Sequence, residues 1–178
     1  GAAADEGRTL EQVADVTQKA LDNIRTMGIA LSPCIVPEVG KPTFSIKDDE
    51  VEIGMGIHGE PGIEVKQMTT ADALTDQIVE KLLADMPLQN GDTVSVMVNG
   101  LGATPKEELL IVYRRIHQIL TEKGVTLVMP HIGEFATSME MAGLSVTFFK
   151  LDDELEILLN APASTPFHQR QPIRSLLC

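Results

Sequence analysis

The stretch from Gly54 to Gly62 reads GMGIHGEPG and directly follows an alternating apolar run. In an extended chain, one face carries the apolar side chains of Val51, Ile53, Met55 and Ile57. The other face carries Glu52, Gly54, Gly56 and His58. Glycines beside a histidine leave bare backbone, on which a small ligand can lie with the imidazole at its edge. A strand that ends in a tight turn next to an incidental histidine explains the same pattern, so both interpretations stay open at this point.

The bulk composition predicts one soluble globular domain over residues 1–178, with a polar, proline-containing tail over 162–178. Hydrophobic residues make up 43% of the chain and charged residues 22%. The formal net charge of −12 disfavours nucleic acid and anionic membranes as partners, whereas a neutral small molecule fits it. Two cysteines, Cys34 and Cys178, do not make a disulfide framework, and no apolar run reaches membrane-spanning length. These features favour a cytoplasmic protein.

Hydrophobic periodicity predicts alternating helices and strands. Helices are expected from Thr9 to Gly28, from Thr69 or Thr70 to Met86, from Thr104 to Lys123, from Gly133 to Met141 and after Asp152. Strands are expected at Ile29–Val36, Thr43–Ile46, Val51–Ile57, Thr93–Val98, Val125–Met129 and Leu144–Leu151. This order predicts an α/β fold, a two-layer sandwich with a mixed β-sheet covered by helices.

Few residues suit catalysis. The histidines have no metal-ligand spacing, so a zinc site has no support. Asn99–Gly102 reads NGLG between a strand and a helix, as phosphate-binding loops do, but the missing third glycine favours a plain turn. His58 is left as the candidate, because neutral imidazole attacks an aldehyde or ketone to give a reversible hemiaminal. Local burial has to keep the ring neutral in this acidic protein.

The run from Glu52 to Gly62 is similar to the signature of the dihydroxyacetone kinase family, in its substrate-binding K subunit or domain. Val39–Phe44 and Asn99–Gly102 also resemble that family, and the likeness covers nearly the whole chain. The resemblance implies that His58 bonds covalently to the carbonyl carbon of dihydroxyacetone. Gly54, Gly56 and Gly59 are the expected substrate-binding neighbours of His58, and no metal ligand is expected.

The resemblance also implies partners. A substrate hydroxyl is expected to be phosphorylated by a donor on a separate nucleotide-binding L subunit or domain. That donor is ATP or phosphotransferase-charged ADP, with Mg, and no cofactor is expected in this chain itself. Family K subunits pair as homodimers, so a homodimer is expected.

The chain departs from the family by lacking the N-terminal half of the K subunit, with its glycine- and histidine-rich loop and its acidic residue. It resembles the C-terminal half alone and is expected to be inactive as a fragment, because proton-transfer groups contribute about a hundredfold to ten-thousandfold. Two alternatives stay open: a non-catalytic carbonyl-binding or regulatory module, and a kinase of another short ketose such as a tetrulose.

Overall fold

The computed structural model describes residues 1–56, 60 and 62–171. Its helices are α1 (Ala2–Asp5), α2 (Leu10–Asp22), α3 (Ala71–Asp85), α4 (Lys106–Glu122) and α5 (Asp153–Asn160). The first strands are β1 (Ile24–Ala30), β2 (Glu50–Ile53), β3 (Glu64–Gln67) and β4 (Thr93–Gly100). The later strands are β5 (Thr126–Leu127), β6 (His131–Gly133), β7 (Gly143–Leu151), β8 (Ala163–Ser164) and β9 (Gln169–Arg170).

The chain separates into two compact units. One unit combines Gly1–Ile24 with the chain from Leu151 onwards, and it contains α1, α2, α5 and the short β8–β9 hairpin. The other unit is Arg25–Lys150, which contains α3, α4 and the main sheet. Compact units do not decide whether the two parts fold independently, so the expectation of one domain over 1–178 stays a prediction.

The main sheet is mixed. Its strands run in the order β3-β2-β1-β7-β4-β5, and β6 also pairs with β4. The β1–β2 and β2–β3 pairs are antiparallel, whereas β5 and β6 both lie parallel to β4. The strand predicted over Val125–Met129 is shortened to β5, and Met129, with φ 46°, lies between β5 and β6.

One face of this sheet is packed against α3 and α4. Alternate residues of the central strands are buried there: Val94, Val96 and Val98 on β4, and Leu144, Val146 and Phe148 on β7. They share one cluster with Ile78 and Leu82 of α3 and with Ile116 and Leu120 of α4. The predicted α/β class with a mixed sheet covered by helices is therefore confirmed.

Predicted helix starts are confirmed where a side chain caps the helix. Thr9 forms a capping box with Gln12, Thr70 accepts from the Ala73 N–H, and Asp152 accepts from the Leu155 N–H. Each side chain satisfies a backbone donor that the first helical turn leaves without a partner.

Several predicted elements are wrong. The strand expected at Ile29–Val36 ends at Ala30, since β1 covers Ile24–Ala30. The first helix stops at Asp22 rather than Gly28, because the N–H of Asn23 caps it and the following residues pair in β1. No strand forms over Thr43–Ile46, and β2, which begins the strand predicted at Val51–Ile57, pairs with β1 and β3. The helix over Gly133–Met141 is also absent, and Gly133 ends β6. There the Ser138 N–H, which a helix over these residues would bond internally, donates instead to the Leu101 carbonyl at 2.9 Å.

Thr104 has a different role from the predicted helix cap. The N-cap of α4 is Pro105, and no side chain caps this helix. The Thr104 hydroxyl instead donates to the carbonyl of Gly143 and accepts from its N–H, each at 2.8 Å. Thr104 therefore satisfies the backbone at the start of β7.

We predict that Thr104→Val lowers the free energy of unfolding by about 1–3 kcal/mol, because the Gly143 N–H loses the hydroxyl to which it donates, while the Gly143 carbonyl keeps only the Leu101 N–H. Urea denaturation measures this loss. Thr104→Ser, which keeps the hydroxyl, is the control and is expected to retain most of the stability. A valine variant as stable as the original protein contradicts this role.

Candidate functional site

A cleft of about 340 Å³ lies beside the end of β2. Its lining comes from β1, from the segment after β2, and from β7: Thr26, Met27, Gly28, Gly54, Met55, Gly56, Ile63 and Ser145. The structure thus places two of the predicted substrate-binding residues, Gly54 and Gly56, in one cavity. His58 and Gly59 lie outside the described residues, so their predicted roles stay predictions.

Backbone conformation at Gly54 ends the strand. Gly54 has φ +86°, a left-handed value that favours glycine, and its N–H donates to the carbonyl of Gly28 at 2.7 Å. The predicted strand through Ile57 is therefore wrong beyond Ile53 within the described residues. A strand would have held both glycines on one flat face, whereas here the chain turns out of the sheet and borders a cavity.

Glycine at position 56 leaves room for the Glu60 side chain. A Cβ atom built there would collide with the carboxylate end of Glu60, a flexible side chain. At Gly54, by contrast, a Cβ atom would lie 2.5 Å from Cγ1 of Ile63 and 3.2 Å from its backbone nitrogen. Gly54 is thus required by the fold, while Gly56 chiefly leaves space.

A buried carboxylate ties the glycine-rich turn together. Glu52 is only 8% exposed, and its Oε1 accepts from the Gly62 N–H at 2.6 Å. The Ile63 N–H donates to the carbonyl of Ile53 at 2.8 Å beside it. Sequence analysis placed Glu52 on the polar face of the strand but gave it no role. One sequence signal could have indicated a structural role for Glu52: it is a charged residue within an apolar strand, directly before a glycine-rich segment.

Ser145 and Asn99 form the polar side of the site. Ser145 lines the cleft from β7 and is 7% exposed. Asn99, at 3% exposure on the neighbouring strand β4, donates from Nδ2 to the Ser145 hydroxyl at 3.3 Å. Sequence analysis missed Ser145, because a serine in the middle of a strand has no distinctive pattern.

Glu64 follows the cleft residue Ile63 in sequence, lies on β3 and is engaged in ion pairs. Its carboxylate lies 3.1 Å from Nζ of Lys81 and 3.2 Å from Nζ of Lys66. Hydrogen bonds from Lys81 first and Lys66 second lower the pKa of Glu64, so it is ionised near neutral pH. An ionised, ion-paired carboxylate is a poor proton donor to a ligand.

The NGLG stretch does not form a phosphate loop. Gly100 still belongs to β4, and α4 begins only at Lys106. The N–H groups of Leu101 and Ala103 donate to the carbonyls of Gly143 and Met141 at 3.1 Å each. Since those donors are occupied, the arrangement agrees with the plain turn that the sequence favoured.

The other histidines lie apart from the cleft lining. His117 is exposed on α4, and His131 on β6 makes an edge contact with the ring of Phe135 at 5.9 Å between centroids. The His168 N–H donates to the Thr165 hydroxyl at 2.8 Å.

Within residues 1–56, 60 and 62–171, no three histidine, cysteine or acidic side chains group as metal ligands would. No helix in that part of the chain is long and apolar enough to cross a membrane.

A family model described as the Dak1 domain matches residues 1–167. The chain belongs to the Dak1 domain family. It is 46% identical over 165 residues to the dihydroxyacetone-binding subunit DhaK of PTS-dependent dihydroxyacetone kinase 2 of Listeria innocua, covering 93% of this chain and 50% of that protein. It is 44% identical over 169 residues to the L-erythrulose kinase of Pectobacterium atrosepticum, covering 93% of this chain and 29% of that protein.

Solved structures of proteins named for dihydroxyacetone kinase share the fold of this chain. The dihydroxyacetone kinase of C. freundii matches with a TM-score of 0.79 at 29% identity, over 99% of this chain and 32% of that one. The dihydroxyacetone kinase operon co-activator Dha-DhaQ matches with a TM-score of 0.83 at 29% identity, over 90% of this chain and 50% of that one. The predicted membership of the dihydroxyacetone kinase family is therefore confirmed. The chain spans half the length or less of these relatives.

The two cleft glycines give a testable contrast. We predict that Gly54→Ala lowers the free energy of unfolding by about 1 kcal/mol or more, because alanine resists the left-handed conformation and meets Ile63. Gly56→Ala is expected to stay within about 0.5 kcal/mol of the original, since the Glu60 side chain can move. Denaturant unfolding of both variants measures this contrast, and equal losses contradict it.

Proposed function

We propose that this chain is the substrate-binding part of a dihydroxyacetone kinase and that it holds the ketone as a covalent hemiaminal on His58. The observation that carries the proposal is the cleft with Gly54 and Gly56 in its wall, because His58 follows Gly56 by two residues in the sequence. Relatives named as dihydroxyacetone-binding subunits support the choice of substrate.

The covalent step needs only a neutral imidazole and a ketone. A ring nitrogen of His58 attacks the carbonyl carbon, so a C–N bond forms while the C=O π bond breaks. The carbonyl oxygen becomes a hydroxyl as the imidazole gives up its N–H proton, so no oxidant or further reactant is required. The adduct tethers a ketone reversibly and leaves an alcohol of the same size unbound.

We propose that phosphoryl transfer depends on other chains. The N–H groups of Leu101 and Ala103 are already hydrogen-bonded to backbone carbonyls, so they are not available to bind a nucleotide. Glu64 is ion-paired, so it is not available to transfer a proton. A nucleotide-binding L subunit or domain is proposed to bring ATP or phosphotransferase-charged ADP with Mg. The further chain length that the relatives carry is proposed to supply the acid–base groups, in a homodimer.

Two specific observations favour alternatives. The likeness to the co-activator Dha-DhaQ favours a regulatory carbonyl-binding module. Ketone binding without turnover by the complete protein and its L partner would support that function. The 44% identity to an L-erythrulose kinase favours a four-carbon ketose, and comparing kcat/KM for dihydroxyacetone and erythrulose decides between the substrates.

We predict that His58→Ala, in the complete protein assayed with its L partner, lowers kcat/KM for dihydroxyacetone at least about a hundredfold, because the covalent tether is lost. His117→Ala, which alters an exposed histidine on α4, is the matched control and is expected to leave turnover unchanged. Retention of affinity and turnover by His58→Ala rejects the proposed covalent role.

A second prediction concerns the chain alone. Residues 1–178 with a phosphoryl donor and purified L partner are expected to form no dihydroxyacetone phosphate above background, because the acid–base groups are proposed to lie elsewhere. Coupled detection of the product measures this, with the complete protein as the positive control. Product formation by the chain alone contradicts the proposal.

A further inference from the structure

The Asn99 side chain is held in one orientation by the backbone around it. Its Oδ1 accepts from the N–H groups of Phe135 at 2.7 Å and Ala136 at 2.9 Å. Only the oxygen of the amide can accept two hydrogen bonds, so the nitrogen must lie on the opposite side. Nδ2 then donates to the Ala136 carbonyl at 2.8 Å and to the Ser145 hydroxyl at 3.3 Å.

This orientation of the Asn99 amide sets the hydrogen-bonding role of the Ser145 hydroxyl. The Ser145 oxygen accepts a hydrogen bond from the Asn99 amide, so its own O–H points elsewhere and can act as a donor. Ser145 is 7% exposed and lines the cleft, and its hydroxyl donates to no atom of the residues that the structure describes. A buried donor without an acceptor is unfavourable, and a ligand oxygen in the cleft would satisfy it.

We propose that Ser145 is a specificity-determining residue that donates a hydrogen bond to a hydroxyl oxygen of the bound ketose, and that Asn99 is the positioning residue that directs this donor. The inference rests on the proposed function and extends it from the carbonyl to the hydroxyl groups of the substrate. It accounts for selection of a hydroxylated ketone over a plain one.

The strand order supports a hydroxyl rather than the carbonyl as the acceptor. Gly54 and Gly56 follow β2, whereas Ser145 lies on β7, with β1 between the two strands. Neighbouring strands are about 4.8 Å apart, so β2 and β7 are separated by roughly 10 Å. Ser145 therefore lines the cleft from the side opposite the two glycines, where it meets an outer hydroxyl of a ketose that spans the cleft.

The test compares two ketones in the complete protein. Dihydroxyacetone carries hydroxyl groups, whereas acetone offers the carbonyl alone. Titration with each ketone labelled at the carbonyl carbon follows the adduct by ¹³C NMR. Ser145→Ala is expected to weaken binding of dihydroxyacetone about tenfold and to leave acetone within about twofold, since only the first ketone loses a hydrogen bond.

Ser95→Ala is the matched control. Ser95 is also a buried serine, on β4, but its hydroxyl donates to the Met129 carbonyl at 2.9 Å and it does not line the cleft. This variant is expected to bind both ketones as the original protein does. Unfolding curves of both alanine variants establish that the folded state is retained.

Asn99→Asp tests the positioning role without removing the serine. Aspartate keeps the acceptor for Phe135 and Ala136, but it presents an oxygen to Ser145 and draws the serine O–H away from the cleft. The same oxygen loses the hydrogen bond to the Ala136 carbonyl, so an unfolding curve of this variant is measured as well. We expect this variant to lose dihydroxyacetone affinity about as much as Ser145→Ala does, again with acetone unaffected. Unchanged affinity in Asn99→Asp overturns the positioning role.

The outcomes separate this inference from the proposed function. If Ser145→Ala binds dihydroxyacetone as tightly as the original protein, or loses the same factor with both ketones, hydroxyl recognition by Ser145 is overturned. If the original protein forms no adduct with either ketone, or His58→Ala still forms one, the proposed function fails and this inference fails with it.

Discussion

The candidate site depends on a hydrogen bond between a buried carboxylate and the end of a glycine-rich turn. Glu52 lies in β2 and accepts from the Gly62 N–H at 2.6 Å, which joins the residues on either side of the turn. The left-handed backbone of Gly54 starts that turn directly after Ile53, which is fully buried. A rigid sheet therefore anchors a segment that leaves it, which is the usual way to place functional residues on a stable scaffold.

The sheet explains why the cleft is polar on one side only. On β7, Leu144 and Val146 face the apolar core with α3 and α4, and the intervening Ser145 faces the cleft. On β4, Val98 joins the same core, and the adjacent Asn99 bonds to Ser145. The two-residue period of the strands thus supplies both the stability of the sheet and the hydrogen-bonding groups of the site.

The sequence predicted best what is encoded locally. Helix starts at Thr9, Thr70 and Asp152 were correct because a capping side chain bonds within three residues of itself. Thr104 had the same local signal, yet its hydroxyl bonds to Gly143, 39 residues away in sequence. Tertiary contacts overrode the local preference there, as they did in the loop after β6, where the Ser138 N–H donates to the Leu101 carbonyl.

The site could be predicted from the sequence only where its residues are close together in the chain. The glycine-rich motif predicted Gly54 and Gly56 as neighbours of a ligand, and the structure places both in the cleft wall, while their role in binding stays a prediction. Ser145 and Gly28 reach the cleft only through strand pairing, which no spacing in the sequence reveals.

The central claim is that the cleft holds a ketone bonded to His58. The most direct measurement is the ¹³C NMR spectrum of the complete protein with dihydroxyacetone labelled at the carbonyl carbon. The account predicts a protein-bound signal in the range of a tetrahedral carbon, which disappears in His58→Ala. A bound signal that stays in the ketone range, or a tetrahedral signal that survives in His58→Ala, would contradict it.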